Sequence, residues 1–173
     1  MDLFNREDIN RLIRLMAAKL NEAGVSGQIS IVGGAAISLA YVFERETTTD
    51  IDALLPNDFR VSNVIAQIAK MERLDDNWIN DAVNAFIPFE IETHWIELFR
   101  EGGIIVRIAT AELLLAMKLK ADRGRRDRPD IEALIGLCAI TTIDDIDKLF
   151  EAFHHQEVLK AETREGVLGM LKK

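Results

Sequence analysis

Ile31-Val32-Gly33-Gly34-Ala35-Ala36, followed by Arg45-Glu46-Thr47-Thr48-Thr49-Asp50-Ile51-Asp52, is the stretch on which the reading of this chain turns. Gln28 to Val32 is a short β-branched run that stops abruptly at Gly33-Gly34, so it reads as a strand. Ala35 to Phe43 then reads as a helix, and Thr49 to Leu55 as a second strand closed by Pro56-Asn57-Asp58. Residues two apart on a strand point to the same face, with Cα atoms about 6.5–7 Å apart. Asp50 and Asp52 are therefore expected side by side, with Ile51 on the opposite, apolar face. Two carboxylates facing one way repel each other unless a cation lies between them. Magnesium takes oxygen ligands and completes its shell with water and substrate phosphates, which suits such a pair. Gly33 and Gly34, without side chains, let a triphosphate approach the backbone N–H groups at the positive end of a helix. Singly, Gly-Gly after a strand also reads as a plain tight turn, and Asp-x-Asp as a solvated loop or strand edge. Their combination between residues 33 and 52 is what is specific.

Outward from this stretch, residues 6–23 place Ile9, Leu12, Ile13, Leu15, Met16 and Leu20 near helical spacing, with Gly24 as the stop. Val61, Val64, Ile65 and Ile68 mark another helix, for which Asn57 or Asp58 is the expected cap. Residues 78–85 are ambiguous. Phe86–Ile91, Thr93–Phe99 and Ile104–Ile108 read as strands, and Glu101-Gly102-Gly103 turns the chain between the last two. After Thr110 the pattern becomes helical through residue 122, then over about 129–138, 143–153 and 156–171. The expected architecture is α+β: a mixed-sheet core over residues 1–109 and a helical part over 110–173 packed on it.

The chain is acidic, with a formal net charge of −8, which weighs against a general nucleic-acid coat protein. Against that background, residues 118–128 hold six basic side chains (Lys118, Lys120, Arg123, Arg125, Arg126, Arg128) and only two acidic ones, Asp122 and Asp127. The apolar run Leu113–Met117 is far shorter than the ~20 residues of a membrane helix, and Met1 to Arg6 lacks the pattern of a secretory signal. The single cysteine, Cys138, lies on a periodic apolar face and reads as a structural thiol; these features fit the cytoplasm. His94, His154 and His155 lack metal-ligand spacing, and Trp78 and Trp95 read as packing residues.

Together the two quoted segments resemble the nucleotide-binding signature of the DNA polymerase β-like nucleotidyltransferase superfamily, and more narrowly its minimal members, including AbiEii-type toxins of bacterial toxin–antitoxin systems. A second match is Glu112-Leu113-Leu114-Leu115-Ala116-Met117-Lys118-Leu119-Lys120-Ala121-Asp122-Arg123, followed by Arg126-Asp127-Arg128-Pro129-Asp130-Ile131. It is similar to the helical segment of the AbiEii-like group. The resemblance implies a nucleotidyltransferase-like fold, Gly33 and Gly34 as the phosphate turn, and Asp50 and Asp52 as ligands for Mg2+ or Mn2+. It further implies Lys118 and Asp130 as catalytic companions, with NTP as the substrate. Lysine compensates phosphate charge, and an aspartate orients or deprotonates an attacking hydroxyl. Lys118 also reads as a solvent-reaching helix lysine, and Asp127 with Asp130 as a capping arrangement supported by Pro129. Arg45 and Arg123 are candidates for substrate contact or surface ion pairs.

The function expected is transfer of a nucleoside monophosphate to a hydroxyl acceptor, RNA (such as tRNA) or protein, with an antitoxin-like protein partner. The alternatives are a catalytically degenerate fold that binds nucleotide or protein, and an antibiotic-modifying enzyme. Two departures from the superfamily pattern stand out. Gly34 occupies a position where many members have serine, and Glu90, Glu92 and Glu97 offer a third strand carboxylate without a recognisable motif.

Overall fold

The computed structural model describes residues 3–42, 47–88 and 91–172. The chain divides into two compact units, one of Met1–Ala85 with Trp95–Ala109, the other of Phe86–His94 with Thr110–Lys173. The fold is α+β, a mixed five-stranded sheet with seven helices among the described residues.

In the first unit, helix α1 spans Arg6–Glu22. Asn5 starts it with a reciprocal cap: its side chain accepts the Asp8 N–H at 2.9 Å, and the Asp8 carboxylate accepts the Asn5 N–H at 3.2 Å. Ile9, Leu12, Ile13, Met16, Ala17 and Leu20 form one buried stripe, as their spacing requires. Burying each large aliphatic chain contributes roughly 1.5–3 kcal/mol. Strand β1 (Gly27–Ile31) leads into α2 (Gly33–Ala40), and β2 (Ile51–Leu54) into α3 (Arg60–Glu72). The short β3 (Ile79–Asn80) and the hairpin of β4 (Trp95–Glu101) and β5 (Ile104–Ala109) complete the sheet.

Sheet order is β3-β2-β1-β5-β4. The central strands β1 and β5 run parallel from Gly27↔Ile104 to Ile31↔Ile108, while β2 flanks β1 antiparallel with Ser30↔Leu54. Ile29, Ile31, Ile51, Ala53, Ile104, Val106 and Ile108 are all buried on one face, where α1 and α2 pack. The other face carries polar side chains, among them Ser30, Asp52, Asn80 and Arg107. One sheet thus separates an apolar layer from a polar one, the alternation that period-2 strands impose.

In the second unit, α4 (Ala111–Ala121) is capped by the Thr110 side chain on the Leu113 N–H. A 3-10 turn at Gly124–Arg126 leads into α5 (Arg128–Leu137), followed by α6 (Ile143–Phe153) and α7 (Ala161–Leu171). Leu113 to Leu119 are buried without a break, so α4 is enclosed on all sides.

Several local expectations differ from the structure. The segment Phe86–Ile91 is no strand among the described residues: Ala82–Phe86 forms a 3-10 helix instead. β4 begins at Trp95, not Thr93. Helix α7 begins at Ala161, not 156, because Gln156 is left-handed at φ +67° and breaks the helical run. Helix α3 begins at Arg60, whose N–H the Asp58 carboxylate accepts at 2.9 Å.

Candidate active site

β1 ends at Ile31; Val32 stays extended and Gly33 turns the chain straight into α2. Gly33 adopts φ +61°, a conformation that favours glycine. A Cβ placed there would lie 2.5 Å from Asp52 Oδ2, so the missing side chain is the space that the carboxylate fills. The strand that carries Asp52 is held at the same point, because the Val32 N–H donates to the Asp52 carbonyl at 2.9 Å. Asp52 is half-buried on β2 between the buried Ile51 and Ala53.

Asp50 sits in the bend just before β2 and is oriented from both sides. Thr49 Oγ1 donates to its Oδ1 at 3.2 Å, and Asn80 Nδ2 to its Oδ2 at 3.2 Å. The Thr48 hydroxyl ties down its carbonyl at 3.1 Å. Asn80 is the register partner of Asp52, so both aspartates belong to the polar side of the sheet. Gly33, Gly34, Asp50 and Asp52 are thereby brought together within the first unit. The donor set is hard oxygen, seated against the glycine turn. That fits a magnesium or manganese ion taking two carboxylates and completing its shell with phosphates and water. No cluster of three or more acidic, histidine or cysteine ligands occurs among the described residues. Arg45 and Glu90 lie outside the described residues. Glu92 is exposed. Glu97, on β4, is gripped by Arg100 at 2.8 and 2.7 Å, and that hydrogen bond holds its carboxyl below the usual range.

The second unit carries Lys118, Arg123 and Asp130. Lys118 is 8% exposed, and its Nζ donates to Asp127 Oδ1 at 2.7 Å and Asp130 Oδ2 at 2.9 Å. Asp127 is fully buried. It stands at the N-cap position of α5 but makes no side-chain cap. Its carboxylate instead turns back to accept the Arg123 backbone N–H at 2.9 Å and guanidinium N–H groups at 3.0 and 3.1 Å. Lys118, Arg123, Asp127 and Asp130 form a charge-balanced quartet closing the α4–α5 turn. Sequence reasoning weighed Asp127 only as a cap; its i,i+4 spacing from Arg123 was the signal that could have found it.

Of the other basic residues, Lys120 pairs with Glu157 at 2.7 Å, while Arg125, Arg126 and Arg128 are exposed. Cys138 is half-buried, its thiol pushed up to about 11 by burial and by Glu112. His154 is buried with Nε2 3.3 Å from the Ala116 carbonyl; burial first, then the Lys120 charge, lowers its pKa.

Residues 8–165 match a family model described as "Nucleotidyltransferase of unknown function (DUF6036)". The chain belongs to this nucleotidyltransferase family. No curated protein and no solved structure matches the chain. No helix among the described residues of this nucleotidyltransferase is long and apolar enough to cross a membrane.

Two outcomes follow from the geometry. Gly33→Ala is expected to destabilise the nucleotidyltransferase by about 1–2 kcal/mol from backbone conformation alone, with more from displacing Asp52, as read by urea denaturation. Asp127→Ala leaves Lys118 without one buried partner and is expected to cost about 3–5 kcal/mol. Burial, the largest influence on Asp127, pushes its carboxyl up, but hydrogen bonds from Arg123 and Lys118 outweigh it and hold it far below the ordinary 3.8. Its stabilisation is therefore complete above that value and lost as pH falls below it, towards the folded-state pKa. The urea midpoints of wild type and Asp127→Asn should converge as the pH is lowered through that window.

Proposed function

We propose that this nucleotidyltransferase transfers a nucleoside monophosphate from an NTP to an acceptor hydroxyl, at a site formed by Gly33, Gly34, Asp50 and Asp52. The observation that carries this reading is the seating of the Asp52 carboxylate against the bare Cα of Gly33. It joins a phosphate-accepting turn to the carboxylate pair suited to the NTP's metal. The backbone at Gly33-Gly34 and the N-terminal N–H groups of α2 receive the triphosphate. Asp50 and Asp52 hold Mg2+ or Mn2+, which when bound supplies charge neutralisation at the phosphates. The acceptor oxygen forms a bond to the α-phosphorus, the bond to the bridging oxygen breaks, and pyrophosphate leaves.

Lys118 and Asp130 enter as catalytic residues on the strength of the family resemblance, Lys118 compensating phosphate charge and Asp130 orienting the acceptor or taking its proton. An ammonium has three donors, and among the described residues Lys118 directs two of them to Asp127 and Asp130. Arg45 and Arg123 are assigned to substrate phosphates. The exposed Arg125, Arg126 and Arg128 on an otherwise acidic chain favour RNA over protein as acceptor. The AbiEii-like resemblance adds a toxin role in the cytoplasm with an antitoxin-like partner.

A second reading, a nucleotide-binding module without turnover, is favoured by Arg107. It occupies β5 on the polar face, while the carboxylate opposite it, Glu97, is committed to Arg100. One assay separates the two: each α-labelled NTP with Mg2+ or Mn2+ and total RNA. Label should pass to RNA with wild type and fall by about 10²–10³-fold in Asp50→Asn and Asp52→Asn. Retained NTP binding without transfer by wild type would establish the binding module instead. Growth arrest on expression, abolished by the same substitutions, tests the toxin role.

A further inference from the structure

Arg107 fits no role assigned so far. It is held on two sides: its Nε–H donates to Ser30 Oγ at 2.7 Å, and its guanidinium carbon lies 4.5 Å from the Trp95 ring centroid. Ser30 is 1% exposed, so the anchor is buried and the guanidinium plane is fixed. A planar guanidinium with its orientation set in advance is the side chain that best recognises a phosphate's oxygens in pairs.

Its position decides which phosphate. Ser30↔Arg107 and Ser30↔Leu54 are both register pairs, so Arg107 shares a face with Leu54 and with Asp52, two residues earlier on β2. Because β1 and β5 run parallel, Arg107 lies at the end of the sheet where β1 leads into Gly33-Gly34. Two strand spacings, about 10 Å, separate its backbone laterally from that of Asp52. An extended arginine and a bound triphosphate together span such a gap. The other arginine on this face, Arg100, pairs with Ile105 and so lies toward the opposite end of β5. A triphosphate brings more negative charge than one divalent cation cancels, above all when two carboxylates share that cation. Positive charge is needed beside the metal.

We infer that Arg107, set in place by Ser30 and Trp95, is a phosphate-binding residue of the nucleotide site that takes the polyphosphate of the NTP. This rests on the nucleotide reading above. Calorimetric titration with Mg·NTP, inorganic tripolyphosphate and the bare nucleoside tests it, with a thermal melt for each variant. Arg107→Lys and Arg107→Met should weaken Mg·NTP and tripolyphosphate about 10–100-fold, leaving nucleoside affinity unchanged. Ser30→Ala keeps the guanidinium but releases its anchor, and should weaken both polyphosphate ligands about 2–10-fold. It carries the test should the Arg107 variants fail to fold. Unchanged Mg·NTP affinity in the folded variants, with only a lower melting temperature, would make Arg107 a fastener between β1 and β5 and overturn this inference alone. Wild type that binds no Mg·NTP would overturn the nucleotide reading, and this inference with it.

Discussion

The site in the first unit depends on one close approach, that of the Asp52 carboxylate to the side-chain-free Cα of Gly33. Three features meet there. The left-handed backbone of Gly33 turns β1 into α2 without an intervening loop. The Val32 N–H pairs with the Asp52 carbonyl and fixes how far β2 runs past β1. The space that a Cβ would take is where the carboxylate rests. Any side chain at 33 would strain the turn and push on β2 together, so turn and metal-type carboxylate cannot vary independently.

What could be read from the sequence follows the range of the forces involved. The α1 stripe from Ile9 to Leu20 and the alternation Ile51, Asp52, Ala53 are set by local periodicity, and both appear as expected. β3 could not be seen, because two residues, Ile79 and Asn80, gain strand character only from distant β2. The run Phe86–Ile91 has strand composition, yet its first residue closes a 3-10 helix that begins at Ala82; apolar content by itself does not make a strand. Asp50 and Asp52 were legible as a pair. Their setting was not, since Thr49 is a sequence neighbour but Asn80 is thirty residues away.

Asp127 shows the same limit from another side. At the start of α5, next to Pro129, an aspartate has a strong local tendency to cap the helix. It does not, because Lys118 and Arg123 offer a buried carboxylate charged hydrogen bonds that a backbone N–H cannot match. Local grammar yields wherever tertiary contacts supply a stronger partner. Lys118 is buried against Asp127 and Asp130 and Lys120 pairs with Glu157, whereas Arg123, though paired with Asp127, is exposed to solvent as Arg125, Arg126 and Arg128 are.

The two charged clusters impose opposite demands on chemistry. Lys118 and Arg123 balance Asp127 and Asp130 without help from a ligand. Such a quartet is preorganised, and removing Asp127 leaves the buried Lys118 short of a partner in a medium that solvates it poorly. Asp50 is oriented by neutral donors, a threonine hydroxyl and an asparagine amide. Neutral donors aim a carboxylate but leave its charge in place, which is the condition under which a divalent cation gains most by binding. By this criterion the donors described at Asp50 orient it without neutralising it, whereas the Lys118 quartet holds its own geometry.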